Sequence, residues 1–320
     1  MEAPMTLDTM RMRYFAAIAQ AGSFTRAAGE LRVAQSALST HMRALEDELG
    51  TRLFSRTSRG IVLTDAGETL HSHARSILRA IAQAEEATRE QGMHPSGDVV
   101  LGIINSLFPT LGIPVLETCK RRFPRIRLAV SEGDSRGLRE ALESQTHDLA
   151  VTLHNVAKPS AVRLFDEALY VVGPPGHFPG ADATMWLADA LRLPLILPPP
   201  KHSIRFSLER NAAALGVALD AAWLIEGLAA TKAAIRHGFG FSILARSAVH
   251  DDARAGRLSC ARLLDTTMSR SLVLDMATNH PPTRAMLEVR RIVLELVRTL
   301  GRDGHWVAHN DLDAADAAAD

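Results

Sequence analysis

A chain of 320 residues leaves room for two or three domains, and a hydrophobic content of 47% is ample for buried cores. Lysine plus arginine equals aspartate plus glutamate at 36 each, so overall charge argues for no polyanionic partner, and any attraction to nucleic acid must come from the local placement of arginine. Cys119 and Cys260 stand too far apart in sequence for a disulfide framework or a metal site, the start MEAPMTLDTMRMR lacks an apolar signal core, and no run is long enough to span a membrane. A cytoplasmic protein without metal or other cofactor is expected.

Residues 7–21 read as a first helix that packs Met10, Tyr14, Phe15 and Ile18 against the next two helices. The stretch FTRAAGELRVAQSALSTHMRALEDELG, residues 24–50, holds two helical patterns with a very short break at Arg32, Val33 and Ala34. The first carries Phe24, Ala27, Ala28 and Leu31 on one face, with Ser23 placed as a cap. The second carries Leu38, Met42, Leu45 and Leu49 in one apolar stripe, and Gly50 follows as a C-cap. Two helices joined by so short a turn form a helix-turn-helix pattern. The second helix opens with Gln35, Ser36, Ser39, Thr40 and Arg43 outward, with no carboxylate until Glu46. Such side chains can pair with base edges in a major groove, whereas an ordinary amphipathic helix would simply solvate them.

Residues 51–64, TRLFSRTSRGIVLT, read as a β-wing: a turn-like RTSRG followed by β-prone Ile61, Val62 and Leu63. Arg52, Arg56 and Arg59 sit where a wing meets the DNA backbone or minor groove. Residues 1–64 hold eight arginines against six acids, a slight basic excess. Thr64 then caps a long helix with Asp65 and Glu68 in its first turn, running to about Gln91. Leu70, Ala74, Ile77, Ile81 and Ala84 follow a heptad seam within it, which predicts self-association through close helix approach. QGMHPSG, residues 91–97, is a linker.

From Asp98 strands and helices alternate. Strands are expected at 99–104, 126–130, 149–153, 168–172, 195–197, 223–225, 241–244 and 272–276. Helices are expected at 109–122, 136–144, 184–190, 204–215, 228–237, 247–255 and 283–300. The alternation predicts a mostly parallel sheet with helices on both faces, and the Gly-Pro break within 173–180 predicts two lobes. The chain past Arg302 is acidic, rich in alanine and without apolar anchors, and reads as disordered.

The runs MRYFAAIAQAGSFTRAAGEL, AQSALS, LEDELGTRLFSRTSRGIVLTDAG and GFGFSILARSAV together resemble the LysR-type transcriptional regulators, most closely the branch that includes nitrogen-assimilation control regulators. The resemblance implies an α+β winged helix-turn-helix DNA-binding domain at 1–64 and a dimerising linker helix at 65–92. It further implies a two-lobed α/β, periplasmic-binding-protein-like effector domain at 98–302, with lobe I at about 98–171 and 270–302 and lobe II at about 172–269, ahead of the acidic tail at 303–320. It implies that Gln35, Ser36 and Ser39 approach bases and that Arg59 reaches the minor groove. Its partners would be double-stranded DNA, a small-molecule effector, a second copy in a homodimer or homotetramer, and RNA polymerase. Ser36 and Ala245 stand where many members have proline, and Thr40 where many have a basic residue, which bears on base preference but not on the mode of binding.

In open α/β sheets ligands sit beyond the carboxyl ends of strands. Those ends here offer Asn105 and Ser106, then Ser131, Glu132 and Gly133, and in the other lobe Lys201, His202, Ser203 and Arg205 at a helix start and Glu226 with Gly227 after a strand. Ser106 and Ser203 beside free helical N–H groups would cradle an anion, with Arg205 and Lys201 adding charge. An enzyme is disfavoured, because the sequence has no HExxH, GxSxG or Walker pattern, and GFG at 238–240 lacks the third glycine of a dinucleotide fingerprint. A solute-binding transport protein would leave residues 7–64 without a role. A DNA-binding regulator without a small-molecule effector is the alternative.

Overall fold

The computed structural model describes residues 7–57, 60–89, 95–154, 161–180, 182–200, 202–265, 267–278, 281–302 and 306–308. The chain divides into two compact units, Met1–Met93 with Glu143–Thr146, and His94–Leu142 with His147–Asp320.

In the first unit the Asp8 carboxylate accepts the Arg11 N–H at 2.7 Å and starts α1 (Thr9–Ala21), which Gly22 ends at φ 59°. Ser23 caps α2 (Phe24–Leu31), and Arg32, left-handed at φ 55°, makes the tight exit. α3 (Gln35–Leu49) begins after Ala34 without a side-chain cap and ends at Gly50. β1 (Phe54–Thr57) and β2 (Gly60–Leu63) pair antiparallel as the wing, Phe54 opposite Leu63. The Thr64 hydroxyl accepts the Gly67 N–H at 3.0 Å and starts α4 (Asp65–Arg89). A Cβ on Gly67 would lie 2.1 Å from the Leu53 carbonyl oxygen, so only glycine lets this helix start so close to the wing. Phe15, Ile18, Ala27, Leu38, Met42, Leu45 and Leu53 form the core.

The second unit opens with β3 (Gly97–Ile104), a π-helical turn (Phe108–Gly112) and α5 (Ile113–Arg122). β4 (Ile126–Gly133), α6 (Ser135–Glu143), β5 (Leu149–Leu153) and the long β6 (Val162–Gly173) follow. Next come β7 (Thr184–Met185), α7 (Leu187–Ala190), β8 (Ile196–Leu197), α8 (Ser203–Ala214), β9 (Trp223–Leu224) and α9 (Leu228–Arg236). β10 (Ser242–Ala245), α10 (Arg246–Arg254), β11 (Ser259–Leu263), β12 (Ser269–Met276), α11 (Arg284–Arg302) and β13 (Val307–Ala308) complete it. β4, β3 and β5 run parallel, and β12 lies antiparallel to both β5 and β6. β6 serves two lobes. Up to Ala168 it pairs with β12, and from Leu169 it pairs with β10 and β11. Leu101, Ile103, Phe165, Met286 and Val289 share one core, and Leu169, Val171, Leu195, Leu208 and Ile243 share another. No described helix is long and apolar enough to cross a membrane.

Several expectations are corrected. The sheet is mixed rather than mostly parallel, because the strands that cross between lobes lie antiparallel to their neighbours. The helix expected at 184–190 is a short strand and one helical turn, since Thr184 and Met185 pair with β11, a strand the sequence did not suggest. The expected helix at 109–122 begins as a π-turn. Met10 is exposed and Met12 takes its place, because Met12, Phe15 and Ile18 share the inner face. The expected seam on α4 is split. Ala74 is fully buried and Leu70 partly buried in the core of their own unit, while Ile77 is 40% exposed. Ile81 is half-buried and Ala84 exposed. Finally, the chain past Arg302 is anchored at Trp306, whose ring stacks on Phe165 at 4.2 Å and whose Nε1 donates to the Val297 carbonyl at 3.0 Å. β13 then pairs with β6, and residues 309–320 lie outside the described residues.

Candidate DNA-reading helix and effector site

α3 divides cleanly. Leu38, Met42 and Leu45 face the core, and Gln35, Ser36, Thr40 and Arg43 are exposed, with Ser39 half-buried. Gln35 Nε2 donates to Ser39 Oγ at 3.0 Å, and Thr40 Oγ1 donates to the Ser36 carbonyl at 3.0 Å. These polar groups therefore satisfy one another on the free helix and can exchange those bonds for others at little cost. Glu46 takes no part in the outer face. Only 9% exposed, it accepts the N–H groups of Leu53 at 2.8 Å and Phe54 at 3.2 Å and pairs with Arg52 at 2.9 Å. It thereby ties α3 to the start of the wing, and the first three turns of α3, residues 35–45, carry no carboxylate. Arg56 lies on β1, its side chain not described, and Arg59 lies outside the described residues.

In the second unit the candidate residues fall at strand and helix ends. Asn105 is exposed after β3, and its N–H donates to the Gly133 carbonyl at 3.1 Å, which ties the ends of β3 and β4 together. Ser106 is half-buried and Glu132 exposed. Ser131, also named from the sequence, turns to His147, Oγ to Nε2 at 2.6 Å. Ser203 begins α8 with its side chain not described, and Lys201 lies outside the described residues. Arg205 does not stand free in an opening. Its Nε donates to Glu209 Oε1 at 2.7 Å, and its Nη1 is buried with no hydrogen-bond partner among the described residues. Glu226 is exposed beside Gly227, which opens α9 at φ 95°.

His202 brings these ends into one electrostatic neighbourhood. Burial lowers its proton affinity, Asp134 and Glu226 oppose that, and Arg270 adds to it. Asp134 follows the carboxyl end of β4, Glu226 follows that of β9, and Arg270 stands at the start of β12, so charges from three separate elements act on this imidazole. Sequence reasoning gave no weight to Asp134, although a strand ending in Gly-Asp before a helix marks a cap. Its Oδ1 accepts the Gly137 N–H at 2.6 Å. The two cysteines lie apart, Cys119 on α5 and Cys260 on β11, and burial raises both thiols, Cys260 to about 11.

Against known proteins, the family of LysR substrate binding domains matches residues 93–298, and the bacterial regulatory helix-turn-helix proteins of the lysR family match residues 10–68. The nitrogen assimilation regulatory protein nac of Escherichia coli (strain K12) is 32% identical over 297 residues, covering 90% of this chain and 95% of its own. A probable hydrogen peroxide-inducible genes activator of Streptomyces viridosporus is 31% identical over 297 residues, covering 91% and 94%. Full-length CbnR in complex with its target DNA shares the fold at a TM-score of 0.67 and 22% identity, covering 92% of this chain and 99% of that one.

Proposed function

The chain belongs to the LysR family of transcriptional regulators, and from that membership we propose how it works. It is a regulator rather than an enzyme, with a substrate-binding domain that takes an effector. A cytoplasmic dimer presents two copies of α3 to successive major-groove half-sites of double-stranded DNA. Gln35, Ser36, Ser39, Thr40 and Arg43 approach base edges, while Arg56 and Arg59 of the wing meet the backbone and minor groove. The supporting observation is the polar outer face of the first three turns of α3, which is exposed at Gln35, Ser36, Thr40 and Arg43 and free of carboxylates.

The effector is a small molecule with an anionic group, held at the converging strand ends by Asn105, Ser106, Ser203 and Arg205, with Glu132 and Glu226 beside it. Thiol oxidation is a poor substitute for it here, because both thiols are raised and sit on separate lobes. The similarity to a nitrogen assimilation regulator makes nitrogenous metabolites the first class to try. The test is a melting-temperature screen of the full chain against amino acids and small carboxylic acids. A compound that raises the melting temperature in wild type, and fails to do so when Asn105 and Ser106 are both replaced by alanine, supports the site. No shift from any compound favours the alternative, a DNA-binding regulator that takes no small-molecule effector.

A further inference from the structure

β6 and β12 are the strands that tie the lobes together, and Arg270 stands opposite Glu167 in their pairing. Glu167 is 3% exposed, and its Oε2 accepts Arg270 Nε at 3.0 Å and Nη2 at 2.8 Å. Its other carboxylate oxygen accepts the backbone N–H of Ser247. Ser247 is in the first turn of α10, whose N-cap Ala245 offers no side-chain acceptor. A carboxylate from the crossing strand therefore caps this helix, favoured by the open N–H groups and the helix dipole.

The same serine faces the other lobe. Its carbonyl accepts the Thr110 hydroxyl at 3.1 Å, and its hydroxyl lies 3.5 Å from the Ser106 carbonyl. Thr110 sits in the π-turn, a form rare in proteins and concentrated at functional sites. A continuous set of contacts thus runs from the loop that carries Asn105 and Ser106, through one backbone unit of α10, to the buried ion pair on the crossing strands.

We propose that Thr110, Glu167 and Arg270 are positioning residues of the effector site, acting through the Ser247 backbone to couple loop 105–110 to the two crossing strands. The proposal rests on the effector reading of that loop. A molecule that draws on Asn105 or Ser106 shifts the π-turn, the π-turn shifts the start of α10, and the Glu167–Arg270 pair registers the shift where the lobes join. Two discrete arrangements of this pair would then be the element whose balance the effector biases.

The experiment is hydrogen exchange on the full chain, read by mass spectrometry, in wild type, Thr110→Val, Thr110→Ser and Glu167→Gln. Thr110→Val is isosteric and removes only the hydroxyl. It speeds exchange about tenfold both in residues 107–112 and in residues 246–250 of the other lobe, the loss of one part-buried hydrogen bond. Thr110→Ser keeps the hydroxyl and restores protection in both segments, and Glu167→Gln loosens both together. Faster exchange confined to 107–112 in Thr110→Val, or to 246–250 in Glu167→Gln, would overturn the coupling. No ligand enters this measurement, so its failure is separate from failure of the effector reading, which the metabolite screen decides.

Discussion

Glu46 carries more of the first unit than its place in the sequence suggests. The helical pattern sets it beside the outward residues of α3, but its acceptors serve Leu53 and Phe54 on the next element. Spacing within one helix cannot reveal a bond made beyond the end of that helix, whereas Ser23, Gly50 and Thr64 were legible because a cap acts within three or four residues. Glu46→Ala leaves two backbone N–H groups without their acceptor and should cost about 3 kcal/mol of stability in the first unit. Glu46→Gln keeps an acceptor oxygen and should cost about 1 kcal/mol. Arg52 adds little to this difference, since its side chain is 78% exposed and the ion pair is screened. Urea denaturation of the full chain, followed through the transition of the first unit, checks the ranking.

At the scale of elements, α4 shows why a heptad pattern underdetermines its partner. Leu70 and Ala74 repeat as a seam should, yet they complete the core around Phe15 and Leu53, and the exposed apolar surface lies further on at Ile77. A helix that links two domains need not stand clear of either. The first turns of α4 pack on the domain they leave. Ile77→Asp should therefore weaken self-association at least tenfold without destabilising the first unit, while Ala74→Leu should cost that unit about 1–3 kcal/mol by overpacking. Sedimentation equilibrium and thermal unfolding separate the two. β11 and the reach of β6 were missed for a related reason. SCARL has no apolar run to announce a strand, and the length of β6 is set by partners on two lobes that are distant in sequence. Trp306 was lost in an acidic segment because composition averages over the one residue that stacks on Phe165.

At the scale of the whole molecule, the order of parts was readable from the sequence because each part has its own local period. The lobed arrangement depends on two strands that cross between lobes, and their antiparallel pairing is a non-local fact. The convergence of Asp134, His202 and Glu226 is equally non-local, and so the candidate effector site was legible as strand ends but not as a neighbourhood. The reading of a two-fold DNA site through α3 underlies every other proposed role of the chain. It is tested most directly by selecting genomic fragments with the purified full chain at a stated salt concentration, in wild type and in Arg43→Ala. Wild type should select an interrupted inverted repeat, and Arg43→Ala should lose about 1–3 kcal/mol on that repeat with relaxed preference at one position of each half-site. Recovery of no repeat, or equal losses on the repeat and on random DNA for Arg43→Ala, would contradict it.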